Sequence, residues 1–286
     1  MPIDYAATMK LENLGQRFAW TDREVMLYAL GIGMGADPLD ERELAFVNEG
    51  VLESRPLKVV PTFASVAAWG ETPGPMDIDW LMVVDGERDI TFHQPLPAAA
   101  EITADSRVTG VFDKGSDKGA VIVRETVLRD GHGAPLATLR ASRFARGDGG
   151  FGGPSEGQPK PHEVPKRAPD RSVDIATRPD QALLYRLCGD RNPLHSDPAF
   201  ARRAGFPRPI LHGMCTYGLT CRAVLQTYAD YDPAAFRRHA ARFSAPVYPG
   251  ETVTVDLWRD GEVISFEARV KARAATVIKN GKTVLG

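Results

Sequence analysis

The stretch Gly213-Met214-Cys215-Thr216-Tyr217-Gly218-Leu219-Thr220-Cys221-Arg222-Ala223-Val224-Leu225-Gln226-Thr227-Tyr228 decides the fold. Met214, Tyr217, Cys221, Val224, Leu225 and Tyr228 recur at intervals of three and four, which sets them on one face of a helix. Gly218, Thr220 and Ala223 keep its other sides slim, so a curved sheet can wrap it closely. Downstream, residues 252–258, 263–270 and 275–285 are alternating and β-branched and predict three strands. Arg259-Asp260-Gly261 and Asn280-Gly281 are expected to turn the chain, because Asp-Gly and Asn-Gly supply the positive φ that tight hairpins need. A helix followed by an antiparallel meander is an α+β pattern.

The first half repeats this order faintly. Residues 101–111, 120–128 and 135–144 predict strands, with Asp130-Gly131 as a turn. Phe92-His93-Gln94-Pro95-Leu96 is echoed by Phe243-Ser244-Ala245-Pro246-Val247, and Tyr28-Ala29-Leu30-Gly31 more loosely by Tyr185-Arg186-Leu187-Cys188-Gly189. Between the halves lies Gly147-Asp148-Gly149-Gly150-Phe151-Gly152-Gly153-Pro154, continuing polar and Pro-rich to Arg171. Gly and Pro at this density hold no core element. The expected division is a first repeat over 1–150, a linker over 151–171 and a second repeat over 172–286.

With 286 residues, 43% hydrophobic and 25% charged, the chain can bury two ordinary cores. A formal charge of −2 argues against general affinity for nucleic acid or anionic membranes, so an anionic ligand would need a local basic pocket. The three cysteines, Cys188, Cys215 and Cys221, cannot all pair and show no CxxC spacing, which suits a reducing compartment. No apolar run reaches the roughly 18–20 residues that cross a bilayer. Neither a signal peptide nor a peroxisomal ending is present, so a bacterial cytoplasm is expected.

Just upstream of the helix, Cys188-Gly189-Asp190-Arg191-Asn192-Pro193-Leu194-His195-Ser196-Asp197-Pro198 gathers a carboxylate, an amide and an imidazole within six residues. Gly189 and Pro193 exclude a regular helix there. Each residue alone has an ordinary reading: Asp190 as an Asx turn or cap, Asn192-Pro193 as a turn pair, His195 as a structural histidine. Together, before a helix N-terminus at Leu211-His212-Gly213, they are the parts for adding or removing water beside a carbonyl. Asp190, His195 and His212 could also supply three metal ligands, but no HxxxH or CxxC spacing supports a metal. Ser196 and Cys188 lack the context of a nucleophile.

The run Tyr185-x-Leu187-Cys188-Gly189-Asp190-x-Asn192-Pro193-Leu194-His195 closely resembles the signature of the hydratase 2 family, the MaoC-like (R)-specific enoyl-CoA hydratases. Pro209-Ile210-Leu211-His212-Gly213-Met214 and Phe243-x-x-Pro246-Val247-x-Pro249-Gly250-Glu251 belong to the same pattern. Pro61-Thr62-Phe63, Gly86-Glu87-Arg88 and Asp113-Lys114-Gly115-Ser116 resemble the first half of the two-repeat form found in peroxisomal multifunctional enzymes. The resemblance implies a double hot-dog fold, each repeat a curved antiparallel sheet around a central helix, and a homodimer. It implies Asp190 and His195 as the catalytic pair, Asn192 as an accessory amide and the Gly213 N–H as oxyanion donor. Its coenzyme A contacts fall on Asp85, Gly86, Lys114, Asp190, Arg191, Asn192, Pro193, Leu194, His195, Gly213 and Phe243. Asp85 departs from the pattern, where His is frequent.

The expected reaction is reversible hydration of a trans-2-enoyl-CoA to an (R)-3-hydroxyacyl-CoA, with no metal or other cofactor, the coenzyme A thioester being the substrate. The first repeat, with Gly35-Ala36-Asp37-Pro38-Leu39 opposite the motif, is expected to be non-catalytic and to make room for the acyl chain, with residues 61–69 as a short central helix. The alternatives are a dehydratase of a branched, steroid-side-chain or dicarboxylic acyl-CoA, and a non-catalytic acyl-CoA-binding protein. The last would suit a chain lacking Asp190 or His195, and both are present.

Overall fold

The computed structural model describes residues 3–50 and 56–286. The strands are β1 (Glu12–Trp20), β2 (Val83–Phe92), β3 (Ala100–Asp113), β4 (Ala120–Arg129), β5 (Pro135–Ala145), β6 (Arg171–Ala176), β7 (Phe236–Phe243), β8 (Thr252–Asp260), β9 (Val263–Val270) and β10 (Ala275–Leu285). The helices are α1 (Tyr5–Thr8), α2 (Asp22–Gly31), α3 (Glu41–Leu44), α4 (Ala64–Ala67), α5 (Gln181–Tyr185), α6 (Pro198–Arg203) and α7 (Gly213–Tyr228). All strands join one sheet in the order β1-β3-β4-β5-β2-β7-β10-β9-β8-β6. The first five strands and the last five thus have the same internal order, and antiparallel pairing of β2 with β7 fuses them. This is the expected α+β double hot-dog. Residues 146–170 carry neither helix nor strand.

The predicted helix is α7, with Met214, Tyr217, Cys221, Val224 and Leu225 buried and Tyr228 partly buried against the core. Its slimness has a specific use. A Cβ on Gly218 would lie 2.5 Å from Ile32 Cγ2 and 3.0 Å from the Tyr28 hydroxyl, so only glycine lets α7 press against the end of α2. Tyr28 and Tyr185, the two echoed tyrosines, are both fully buried and pack ring to ring at 6.0 Å, bringing the halves into one core. A largely buried ion pair, Arg222 to Glu43 at 2.7 Å, also ties the halves. In the first half the central helix is short: a 3-10 turn over Pro61–Phe63 runs into α4.

Two expectations need correction. Each helical region is preceded by a strand, β1 or β6, and followed by another, β2 or β7, so the order is not simply helix then meander. Asn280-Gly281 does not turn the chain. Asn280 takes φ 56° inside β10 and the register shifts there against both neighbours, which is a β-bulge. A Cβ on Gly281 would overlap the Phe266 ring at 2.2 Å. The central helix of the first half is short, as expected, and far from the equal of α7.

Candidate active site

The loop 188–198 is built by local capping. Gly189 (φ 128°, ψ −40°) ends the 3-10 turn Arg186–Cys188, and a Cβ there would lie 2.4 Å from Trp69 Cγ. The indole of the first half thus rests directly on the backbone of the loop. Asn192 Oδ1 accepts the Leu194 N–H at 3.0 Å and starts the turn Pro193–His195. Asp197 accepts the N–H groups of Ala199 and Phe200 and, with Pro198 following, caps α6. Asp197 and the Asn192 oxygen are therefore spent on backbone. Asp190, His195 and the Asn192 amide nitrogen remain for chemistry.

His195 Nδ1 lies 2.9 Å from the Ile210 carbonyl. A carbonyl only accepts, so Nδ1 carries the proton and donates. Burial holds the imidazole below its ordinary pKa, against the opposing pull of the Ile210 carbonyl and Asp190. The ring is thus neutral at pH 7 and its Nε2 lone pair is free. That atom faces Asp190 Oδ2 at 4.0 Å, with the histidine side chain 9% and the aspartate 24% exposed. Asp190 Oδ1 accepts the Asn192 N–H at 3.1 Å, which aims the carboxylate.

His212 stacks under His195, centroids 3.8 Å apart and planes 28° from parallel. Its Nε2–H donates to the Asp190 carbonyl at 3.0 Å, so it clamps the loop from below. Burial, then repulsion from His195, push its pKa down to about 3, and its buried Nδ1 has no partner. A ligand atom each from Asp190, His195 and His212 lies within 4.8 Å of the others. His195 Nδ1 and His212 Nε2 are committed to the Ile210 and Asp190 carbonyls, so the free ring atoms are His195 Nε2 and His212 Nδ1.

Gly213 opens α7, where first-turn N–H groups lack an i−4 partner and the helix dipole is positive. The Phe243 ring borders it: a Cβ on Gly213 would meet Phe243 Cε1 at 3.4 Å. Gly86 sits at the register shift of β2, where a Cβ would lie 2.6 Å from the Ser142 hydroxyl. The Asp85 side chain is 39% exposed. Burial alone would push its carboxyl up, but the Arg88 and Arg143 guanidinium groups hold it below its ordinary value. Its charge also acts on His195. Arg191, Asn192 and Pro193 are exposed and Leu194 half-buried on the rim. Lys114 is placed differently. Its ammonium donates to the Ser155 carbonyl at 2.6 Å and lies over the Phe112 ring.

Two features escaped sequence reasoning. Trp69 was visible only as the end of a short helix, and nothing in its neighbourhood pointed to Gly189. Beyond it lies a cavity of about 340 Å3 lined by Phe18, Trp20, Phe63, Val66, Trp69 and Gly189, among others, and by neither Asp190 nor His195. Cys188 is half-buried with its thiol pushed up to about 12 by burial, which makes it a poor nucleophile.

Two family models match successive parts of the chain. Residues 18–147 match the MFE-2 hydratase 2 N-terminal domain, and residues 160–281 match the MaoC like domain. The chain is 42% identical to enoyl-CoA hydratase ChsH3 of Mycobacterium tuberculosis, over 98% of each. The chain belongs to the MaoC-like hydratase 2 family. It is also 38% identical to the peroxisomal enoyl-CoA hydratase 2 of Arabidopsis thaliana, over 92% of this chain and 89% of that one. Among solved structures, a MaoC-like dehydratase from Phytophthora capsici superimposes with a TM-score of 0.87 at 31% identity, covering 98% of both chains. In this hydratase 2 chain the neutral His195 and the Asp190 carboxylate stand together beside a helix N-terminus, a constellation able to hold and polarise water.

Proposed function

We propose that this protein is a hydro-lyase that reversibly hydrates trans-2-enoyl-CoA thioesters to (R)-3-hydroxyacyl-CoA. The observation that carries the reading is the tautomer of His195: Nδ1–H is committed to the Ile210 carbonyl, leaving Nε2 as a base facing Asp190 across 4.0 Å. A water hydrogen-bonded at about 2.8 Å to both atoms fits that gap. As its oxygen bonds to Cβ, the pair takes one of its protons. The electrons of the double bond move toward the thioester oxygen, where the Gly213 N–H stabilises the negative charge. Collapse of that enolate accepts a proton from the pair at Cα, so one water is added and both groups return to their starting state. Support from a single such N–H is worth about 3 kcal/mol of barrier.

In this reading Asn192 holds the pair, and coenzyme A runs past Asp85, Gly86, Phe243 and the loop 190–195, with Lys114 giving up its Ser155 contact to a phosphate. Residues 1–150 act as the non-catalytic repeat that shapes the acyl site, 151–171 as connector, and 172–286 as the catalytic repeat. No metal or redox cofactor takes part. A homodimer in a bacterial cytoplasm belongs to the same proposal by family likeness, and sedimentation at micromolar concentration checks the dimer. No helix among the described residues is long and apolar enough to cross a membrane.

Asp190→Asn and His195→Ala test the mechanism. Each is expected to lower kcat on crotonyl-CoA by about 10²–10⁴-fold, the range for a lost general acid–base, while CoA-thioester binding by calorimetry persists. Turnover near the parent value in either variant would overturn the assignment.

A further inference from the structure

One short segment, Ile210-Leu211-His212, grips His195 twice. The Ile210 carbonyl takes the Nδ1 proton at 2.9 Å and fixes the edge of the imidazole. The His212 ring lies against its face, centroids 3.8 Å apart, a contact that leaves no room for water between the rings. The segment itself is pinned, the Leu211 N–H donating to the Val247 carbonyl at 2.7 Å. From His212 the rings continue into the core, with Tyr185 at 5.0 Å and then Tyr28 of the first half at 6.0 Å from Tyr185. The same side chain reaches the carboxylate's backbone, because its Nε2–H donates to the Asp190 carbonyl at 3.0 Å. Its own carbonyl accepts the N–H groups of Cys215 and Thr216, both at 3.1 Å, and so opens α7 just ahead of Gly213. One residue therefore touches the base, the residue bearing the carboxylate, and the start of the helix.

An ordinary core residue would not serve here. With Nε2 protonated, His212 Nδ1 is a bare acceptor, buried and without a partner, a cost that an apolar side chain would avoid. What the imidazole supplies is a flat ring and an N–H donor in one side chain. The ring must also stay uncharged, because a cation stacked on His195 would oppose protonation of the base. Burial and the charges of His195 and Arg186 secure this, outweighing the Asp190 carbonyl and pushing the pKa of His212 down to about 3. The titratable groups that face His195 are Asp190 on its own loop, Asp85 on β2 and His212. Burial outweighs the pull of the Ile210 carbonyl and the two carboxylates and keeps His195 below 6.5. We propose that His212 is a positioning residue for the water-adding pair, its ring holding one face of His195 away from water and its Nε2–H placing Asp190. This rests on the hydratase reading of Asp190 and His195.

Two substitutions separate the two contacts. His212→Gln keeps an N–H near the place of Nε2 and removes the ring. Water then reaches the face of His195, so its pKa rises toward 6.5. The base acts only when neutral, so the acid limb of the kcat/KM profile on crotonyl-CoA moves up with that pKa. His212→Phe keeps the stack and removes the donor. Its acid limb should stay at the parent pH while the plateau falls by about 10²-fold as Asp190 loses its hold. The midpoint of a pH profile is independent of how much protein is folded, so lost material does not imitate the first effect. NMR titration of the histidine ring protons, with His195 assigned by its loss in His195→Ala, reads the same pKa without turnover. Midpoints in His212→Gln that coincide with the parent's overturn the proposal, as does a His212→Phe plateau within about threefold of the parent's. Equal loss of rate in both variants with neither midpoint moved also overturns it and makes His212 a plain core residue. If the parent protein hydrates no crotonyl-CoA, the hydratase reading falls, and the NMR titration of His212→Gln alone decides whether His212 shields His195.

Discussion

Gly189→Ala is the perturbation whose consequence follows most directly from the geometry. A methyl at this position would sit 2.4, 2.7 and 2.9 Å from Cγ, Cδ1 and Cδ2 of Trp69. Carbon atoms rest at about 3.5–4.0 Å, so the indole or the loop must move by about 1 Å. The backbone adds its own strain, because φ is 128°, a region costing a non-glycine residue of order 1–3 kcal/mol. The residue that moves next is Asp190, whose carbonyl and carboxylate hold His212 and the Asn192 N–H. A displacement near 1 Å at reacting groups costs about 10²-fold in rate. We expect kcat/KM on crotonyl-CoA to fall by about that factor, with about 2–4 kcal/mol lost in urea unfolding. Trp69→Ala removes the collision partner, so in the double variant most of the rate should return while the φ strain keeps stability low. A Gly189→Ala enzyme within about threefold of the parent rate, or a double variant no faster than the single, would refute the reasoning.

Two further outcomes follow from the same contacts. Gly213→Ala meets Phe243 only at ordinary van der Waals distance, so unfolding should shift by no more than about 1 kcal/mol, while kcat/KM should drop about tenfold or more because the methyl holds the thioester off the N–H. An unchanged rate would remove Gly213 from the oxyanion role. His212 and His239 both have pKa values pushed down to about 3 by burial, from 6.5 in the unfolded chain. Between those values the unfolded state binds more protons, so stability is complete above pH 6.5 and is lost as pH falls toward 3. From pH 6.5 to 5 the loss is about 2 kcal/mol per histidine, visible in urea midpoints, and a flat profile over that interval would contradict their burial as neutral groups.

What the sequence disclosed depended on how local the determining physics is. The helix α7 and the hairpin at Asp260-Gly261 were legible because periodicity and a positive φ act within a few residues. The strands β2 and β7 were not: Val83–Phe92 and Phe236–Phe243 are rich in charge, since they meet at the junction of the halves and pair Arg238 with Asp89. Asn280-Gly281 signals positive φ in either case, and only the partners of β10 decide that it becomes a bulge. The loop 188–198 was legible as a polar cluster, but its division of labour was not. The capping by Asp197 and Asn192 and the tautomer of His195 need the contacts themselves. His195 and His212 lie well apart in the chain, and only the fold stacks their rings.

Loss of enoyl-thioester absorbance with crotonyl-CoA, followed by stereochemical analysis of the product with an (R)-specific 3-hydroxyacyl-CoA dehydrogenase, decides whether this site hydrates and on which face. Turnover should depend on Asp190 and His195, and the (R)-specific enzyme should oxidise the product completely. An (S)-product, or no hydration by a folded protein that binds crotonyl-CoA, would contradict the hydratase reading.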